Sequence, residues 1–163
     1  MRETITFRPE TADDYAFLER LYASTREEEL RPVPWPEEQK AEFLAQQFAA
    51  QCAHYHEHYR DAVYSIILEH GQPIGRLYLN HLPDDVRIMD IALIADARGR
   101  GIGRMLVQEL LDDAGARGKS VSIHVEMNNP ALRLYERLGF TQIDSYGLYL
   151  LMEWRPDRAA AVS

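Results

Sequence analysis

Hydrophobic and polar positions along this chain change period several times, and each change marks an element. From Thr4 to Arg8 the stretch TITFR alternates as a half-buried strand does. Thr11 stands three residues before Asp14, the spacing of a capping pair, so a helix is expected to open there with Phe17, Leu18, Leu21 and Tyr22 as its buried stripe. The proline-broken RPVPWPEEQK reads as a loop. Its last proline, Pro36, suits the first turn of a second helix, with Glu37 and Glu38 near the positive end. Leu44, Phe48, Cys52, Tyr55 and Tyr59 recur every three or four residues and carry that helix to about Tyr59.

From residue 62 the period drops to two. AVYSIILE, IGRLYLN and VRIMDIALI read as strands joined by the turns HGQP and LPDD, an antiparallel meander. The glycine-rich DARGRGIGR follows, then Ile102, Leu106, Leu110 and Ala114 at helical spacing, closed by Gly115 and Gly118. SVSIHV is a further strand. Pro130 opens another helix, capped by Asn128 or Asn129 and closed by Gly139, and GLYLLMEW is a last strand. No internal repeat is visible. Residues 1–155 are expected to form a single domain and residues 156–163 a frayed tail.

Composition narrows the function. A chain of 163 residues with 46% hydrophobic content has material for one core and too little for two ordinary domains. The single cysteine, Cys52, excludes an intrachain disulfide, and MRETITFRPE lacks the apolar core of a secretory signal, so a cytoplasmic location is expected. No apolar run approaches the roughly 20 residues that span a bilayer, so no membrane partner is expected. The net charge of -8 argues against nucleic acid as a partner.

The glycine-rich stretch carries the candidate chemistry. A helix starting just after a strand presents unpaired N–H groups and about half a positive charge, and glycines let an anion approach closely. The dinucleotide pattern G-x-G-x-x-G fails, because a pattern starting at Gly99 would need glycine where Arg104 stands. The P-loop also fails: RGKS at 117–120 has Asp113 in place of the first glycine and leads into a strand. What remains is R-x-x-G-x-G, at Arg98, Gly101 and Gly103.

That spacing resembles the pyrophosphate-binding signature of the GNAT acetyltransferases. NNPALRLYERLGF at 128–140 is similar to a second signature of the family, N-x-x-A-x-x-L-Y-x-x-x-G-F, at Asn128, Ala131, Leu134, Tyr135, Gly139 and Phe140. The order of elements fits as well, so the resemblance covers nearly the whole chain. It implies an α/β fold: a mixed, mostly antiparallel sheet of about seven strands, flanked by four helices, with splayed central strands. It also implies acetyl-CoA as acyl donor, lying between the strand that ends near Leu93 and the strand at 120–125. Amides of Ile91, Ala92 and Leu93 would face the pantetheine and acetyl group. Amides of Gly99, Arg100, Gly101, Ile102, Gly103 and Arg104 would hold the pyrophosphate. Arg98, Arg100 and Arg104 would either add charge for the phosphates or face solvent at the helix start. Asn128 or Asn129 would hold the pantetheine arm, the other role of the pair being the helix cap.

Transfer to an amine needs a neutral nucleophile, polarisation of the thioester carbonyl and a proton for the departing thiolate. Tyr135, at the family's tyrosine position, is the candidate acid, its phenol having an ordinary pKa near 10 against about 8.5 for a thiol. A backbone N–H at or beside Leu93 is the candidate oxyanion donor. Asp90 interrupts an apolar strand, and a carboxylate there must be paired or used, so it is the candidate base; Glu126, His124 and a water chain are alternatives. The family pattern often has Glu three positions before Asp90, where this chain has Arg87. Cys52 is read as packing, and no metal is expected: His54 and His58 lack the H-E-x-x-H arrangement. STREEELRPVPWPEE should line the acceptor, a small-molecule or peptide amine, with Glu27 to Glu29 as attracting charges, or solvated surface, and Trp35 as a platform. The reading is an N-acetyltransferase acting by direct attack in a ternary complex, as a monomer or homodimer. Its rival is a catalytically idle acyl-CoA-binding or interaction module.

Overall fold

The computed structural model describes residues 2–157. Among them seven strands are formed, β1 (Ile5–Pro9), β2 (Val63–Glu69), β3 (Gln72–His81), β4 (Asp85–Leu93), β5 (Ser120–Glu126), β6 (Thr141–Tyr146) and β7 (Tyr149–Trp154). Four α-helices accompany them, α1 (Tyr15–Leu30), α2 (Glu37–His58), α3 (Ile102–Ala116) and α4 (Leu132–Arg137). The strands join one sheet in the order β1-β2-β3-β4-β5-β7-β6, the α/β architecture implied by the resemblance. β4 and β5 are parallel and paired from Asp85↔Ser120 to Ile88↔Ile123 only, although both strands run on. They therefore part beyond Ile88, the expected splay. The chain divides into two compact units, one of residues up to Leu77 with Ala92–Arg98, the other of Tyr78–Ile91 and residues from Gly99 onward. Residues 158–163 of the expected tail lie outside the described residues. Among the described residues no helix is long and apolar enough to cross a membrane.

In the first unit α1 and α2 bury their stripes together on β2. Leu18, Tyr22, Phe48 and Ile66 form the cluster, with Phe17, Leu44, Cys52 and Leu68 partly buried against it. Phe48 has no exposed surface, and its truncation to alanine should cost about 3–5 kcal/mol. The capping pair is realised with a third member: Asp14 accepts the Thr11 N–H at 2.8 Å and both ends of the Arg8 guanidinium at 2.8 and 2.7 Å. This fork ties the end of β1 to the start of α1 and holds the Asp14 carboxyl down at a pKa of about 2, the Arg8 hydrogen bond being the main cause. Pro36 sits one residue before α2 rather than inside it, extended at ψ 153°, and its carbonyl accepts the Lys40 N–H at 3.1 Å.

In the second unit α3 packs on β5 through Ile102, Leu106, Val107, Leu111 and Ala114, opposite Val121, Ile123 and Val125. Leu110, expected in the stripe, is only half-buried. α4 is shorter than expected. Asn129 rather than Asn128 makes the cap, its Oδ1 accepting the Ala131 N–H at 2.8 Å and its carbonyl the Leu132 N–H at 3.0 Å. Those two bonds spend the first turn, and regular helix begins only at Leu132. β6 was not visible in the sequence, for a physical reason: every one of its residues is exposed, so no alternation marks it, and a bulge between Gln142 and Asp144 breaks its register.

Candidate active site

The turn after β4 is built by backbone rules. Ile94 donates its N–H to Ile74 O at 2.8 Å, a 3-10 turn runs over Ala95–Ala97, and Gly99 and Gly101 then take φ +72° and +83°. A side chain there would carry the left-handed penalty of roughly 1–2 kcal/mol. A Cβ on either glycine would meet nothing within 4 Å, so the space over both is open. α3 begins immediately after. Its first intrahelical bond is Met105 N–H to Gly101 O at 3.0 Å, which leaves the amides of Ile102, Gly103 and Arg104 without an acceptor one turn back. No acidic residue stands in this first turn. An open, glycine-lined helix start without a competing carboxylate is a cradle that a diphosphate fits.

The three arginines divide. Arg98 is a clamp: its Nε donates to Leu93 O at 2.9 Å and its terminal N–H to Ser24 Oγ at 3.0 Å, tying the end of β4 to α1. Arg100 and Arg104 are exposed, the latter in the first turn of α3.

Tyr135 is buried on α4, 5% exposed, with its ring edge-on to Phe140 at 5.5 Å. Burial, and secondly the charge of Asp90, push its phenol up to about 12. The structure thus brings Asp90 and Tyr135 into electrostatic reach. By alternation Asp90, half-buried, shares the face of β4 that carries buried Val86 and Ile88. The alternative bases are differently engaged. His124 lies with Nδ1 3.4 Å from Arg87, its ring edge-on to Tyr146, and partial desolvation and then the Arg87 charge lower its pKa. Glu126 accepts from the Tyr149 hydroxyl at 3.4 Å.

Sequence reasoning missed a polar ladder between β4 and β5. Asp85 accepts from the buried hydroxyls of Ser120 and Ser122, and Arg87 Nε donates to Ser122 Oγ at 2.7 Å. The parallel register sets Asp85 beside Ser120 and Arg87 beside Ser122, a pairing that only the topology creates. Arg87, standing where the family often has a carboxylate, is spent on this ladder.

Within the first unit α1 and α2 flank an open cavity of about 430 Å³. Ala23, Leu30, Ala41 and Leu44 supply apolar walls, and Glu27, Arg31, Glu37 and Lys40 supply charge, Lys40 pairing with Glu37 at 3.6 Å. Of the three glutamates singled out, Glu27 alone lines it. Glu28 pairs with Arg31 at 3.9 Å, and Glu29 with Arg26 at 3.1 Å. Trp35 packs edge-on against Phe43 at 5.3 Å. Cys52 is half-buried, and burial pushes its thiol up, which suits packing rather than nucleophilic attack. His54 and His58 lie with tilted rings 4.5 Å apart on the exposed end of α2, and among the described residues no three ligating side chains gather as a metal site would need.

Solved structures share this architecture. PaiA N-acetyltransferase from Thermoplasma acidophilum, in complex with coenzyme A, superposes with a TM-score of 0.69 at 16% identity over 93% of this chain and 98% of that one. Spermidine N-acetyltransferase from Vibrio cholerae, in complex with CoA and spermine, gives 0.64 at 18% identity over 97% and 99%. At these identities the likeness is one of fold. Among curated relatives, ribosomal protein bS18-alanine N-acetyltransferase of Haemophilus influenzae is 28% identical over 79 residues, 48% of this chain and 54% of that protein. Mycothiol acetyltransferase of Corynebacterium glutamicum is 39% identical over 71 residues, 42% of this chain and 24% of that protein. The matched segment of this chain thus spans about half the length of the first and a quarter of the second. Residues 10–140, a span holding both the glycine turn and the Tyr135 helix, match the acetyltransferase (GNAT) family, and the chain belongs to that family.

Proposed function

We propose that this protein is an N-acetyltransferase that moves the acetyl group of acetyl-CoA to a primary amine by direct attack in a ternary complex. The observation that carries the reading is the acid-free start of α3 behind two left-handed glycines, an anion cradle with open space above it. In this reading the amides from Gly99 to Arg104 hold the diphosphate, with Arg100 and Arg104 adding charge. Amides of Ile91 and Ala92 face the pantetheine, and Asn128 holds its arm while Asn129 caps α4. The Leu93 N–H donates to the thioester oxygen as negative charge develops there.

The neutral amine attacks the carbonyl carbon, the C–S bond breaks, CoA leaves as its thiolate, and the nitrogen gives up one proton. Asp90 takes the proton from the amine. Tyr135 donates to the leaving sulfur. A phenol held near 12 stays protonated at any working pH and supports a thiolate with an ordinary pKa near 8.5 chiefly as a hydrogen-bond donor. The acceptor is a small-molecule or peptide amine, a class in keeping with the relatives named for a ribosomal protein's alanine and for spermidine. For a cationic acceptor, Glu27 in the wall of the cavity between α1 and α2 offers a partner for a charged group other than the attacking amine.

Titration calorimetry with CoA, followed by thiol release from acetyl-CoA across a panel of polyamines, amino acids and short peptides, tests the proposal. Micromolar CoA binding with turnover of at least one amine is expected. Binding with no turnover on any amine would make the protein an idle acyl-CoA-binding module, and no binding would remove the donor site altogether.

A further inference from the structure

Gly75 lies in β3, inside the buried run from Ile74 to Tyr78, where no positive φ asks for glycine. A glycine inside a strand weakens it and commonly marks a close backbone approach. Here the approach comes from β4. A Cβ on Gly75 would stand 2.9 Å from Leu93 Cδ2 and 3.2 Å from the carbonyl carbon of Ala92, with the Ala92 oxygen nearer than either. The leucine side chain can swing aside. The carbonyl cannot, because the backbone beyond it is pinned: Ile94 N–H donates to Ile74 O at 2.8 Å, and Arg98 Nε holds Leu93 O at 2.9 Å.

The peptide joining Ala92 to Leu93 is trans and planar, so its N–H points opposite to its C=O. With the Ala92 oxygen lying over Gly75, the Leu93 N–H is aimed away from β3. We infer that Gly75 is a positioning residue: its missing Cβ lets the Ala92 carbonyl lie over β3, and this sets the direction of the Leu93 N–H. The inference rests on the reading above, in which that N–H receives the thioester oxygen. A methyl group at position 75 has to displace the Ala92 oxygen, and the rigid peptide plane passes the rotation to the Leu93 N–H.

The test is Gly75→Ala, assayed with the best amine of the panel or, with none, by slow hydrolytic thiol release. CoA affinity by calorimetry should stay within about twofold. Losing an oxyanion donor outright costs about 10²–10³ in kcat, so a misaimed one should lower kcat at least tenfold with the KM for acetyl-CoA held. A purely structural role would not produce that split. Gly75→Ala/Leu93→Ala, which relieves the side-chain contact alone, should remain as slow. Wild-type kcat in a Gly75→Ala protein that binds CoA, or recovery in the double variant, would overturn the role of Gly75. Should the variants not fold, the wild-type Leu93 amide resonance decides. It should differ between complexes with acetyl-CoA and with S-ethyl-CoA, which lacks the carbonyl oxygen, and equal shifts would overturn the inference. Failure of the wild type to bind CoA at all would instead sink the donor-site reading, and Gly75 with it.

Discussion

Gly101 offers a measurement in which conformation and charge separate. Its φ of +83° belongs to the left-handed region, and a Cβ there meets nothing within 4 Å, so substitution costs conformational energy without a steric clash in the free protein. Asn and Asp both tolerate this region better than other side chains, and each should destabilise the protein by about 1 kcal/mol, a fall in Tm of roughly 2–4 °C at this size. Toward CoA the two should part. The magnitude follows for a carboxylate taken at about 5 Å from a diphosphate carrying about two negative charges. Each unit pair at that distance repels by about 0.8 kcal/mol in water, so the aspartate should bind CoA on the order of 15-fold more weakly than the isosteric asparagine. That figure is a floor, because the local dielectric is lower than that of water. Both variants should also fall below wild type, since any side chain obstructs approach to the α3 amides. Calorimetry at low salt measures the ratio, which should shrink as added salt shortens the screening length below about 10 Å. A folded Gly101→Asp protein with wild-type CoA affinity would show that no phosphate sits there.

Three further expectations follow from the site and its support. Tyr135→Phe keeps the buried ring, so acetyl-CoA affinity should hold while kcat falls at least about tenfold; with the wild-type phenol at about 12, no alkaline limb from this group should appear below about pH 10, and a limb abolished by the substitution would refute its assignment. Asp14, lowered from 3.8 to about 2 by Arg8, contributes about 2 kcal/mol of stability that is complete above the unfolded value and lost as pH falls from about 4 to 2. Asp14→Asn should therefore lower stability at pH 7 and flatten that acid limb in denaturant titrations; an unchanged limb would refute the linkage. Glu27→Lys should raise the KM of a cationic acceptor severalfold with kcat nearly constant, whereas Glu28→Lys and Glu29→Lys, outside the cavity wall, should leave it unchanged. Equal effects at all three positions would point to diffuse steering instead of a pocket.

Much of this protein could be read from its sequence because the signals are local. Periods of two and of three to four residues marked β1 to β5, β7 and the long helices, since each buries one face. The R-x-x-G-x-G and N-x-x-A-x-x-L-Y spacings marked the left-handed glycine turn and the start of α4, because left-handed backbone and helix capping are properties of a few consecutive residues. Tertiary structure decided what depends on distant partners. It gave Arg98 partners at Leu93 and Ser24, and it placed Arg87 on a serine ladder. It left Glu27 alone of three adjacent glutamates facing a cavity, because a helix turns each successive residue by about 100°. It raised the Tyr135 phenol through burial that no neighbouring residue in the chain could foretell. Gly75 is the sharpest case. In the sequence it is one glycine in an apolar run, and its reason for being there is a carbonyl seventeen residues later, brought over it only by the pairing of two strands.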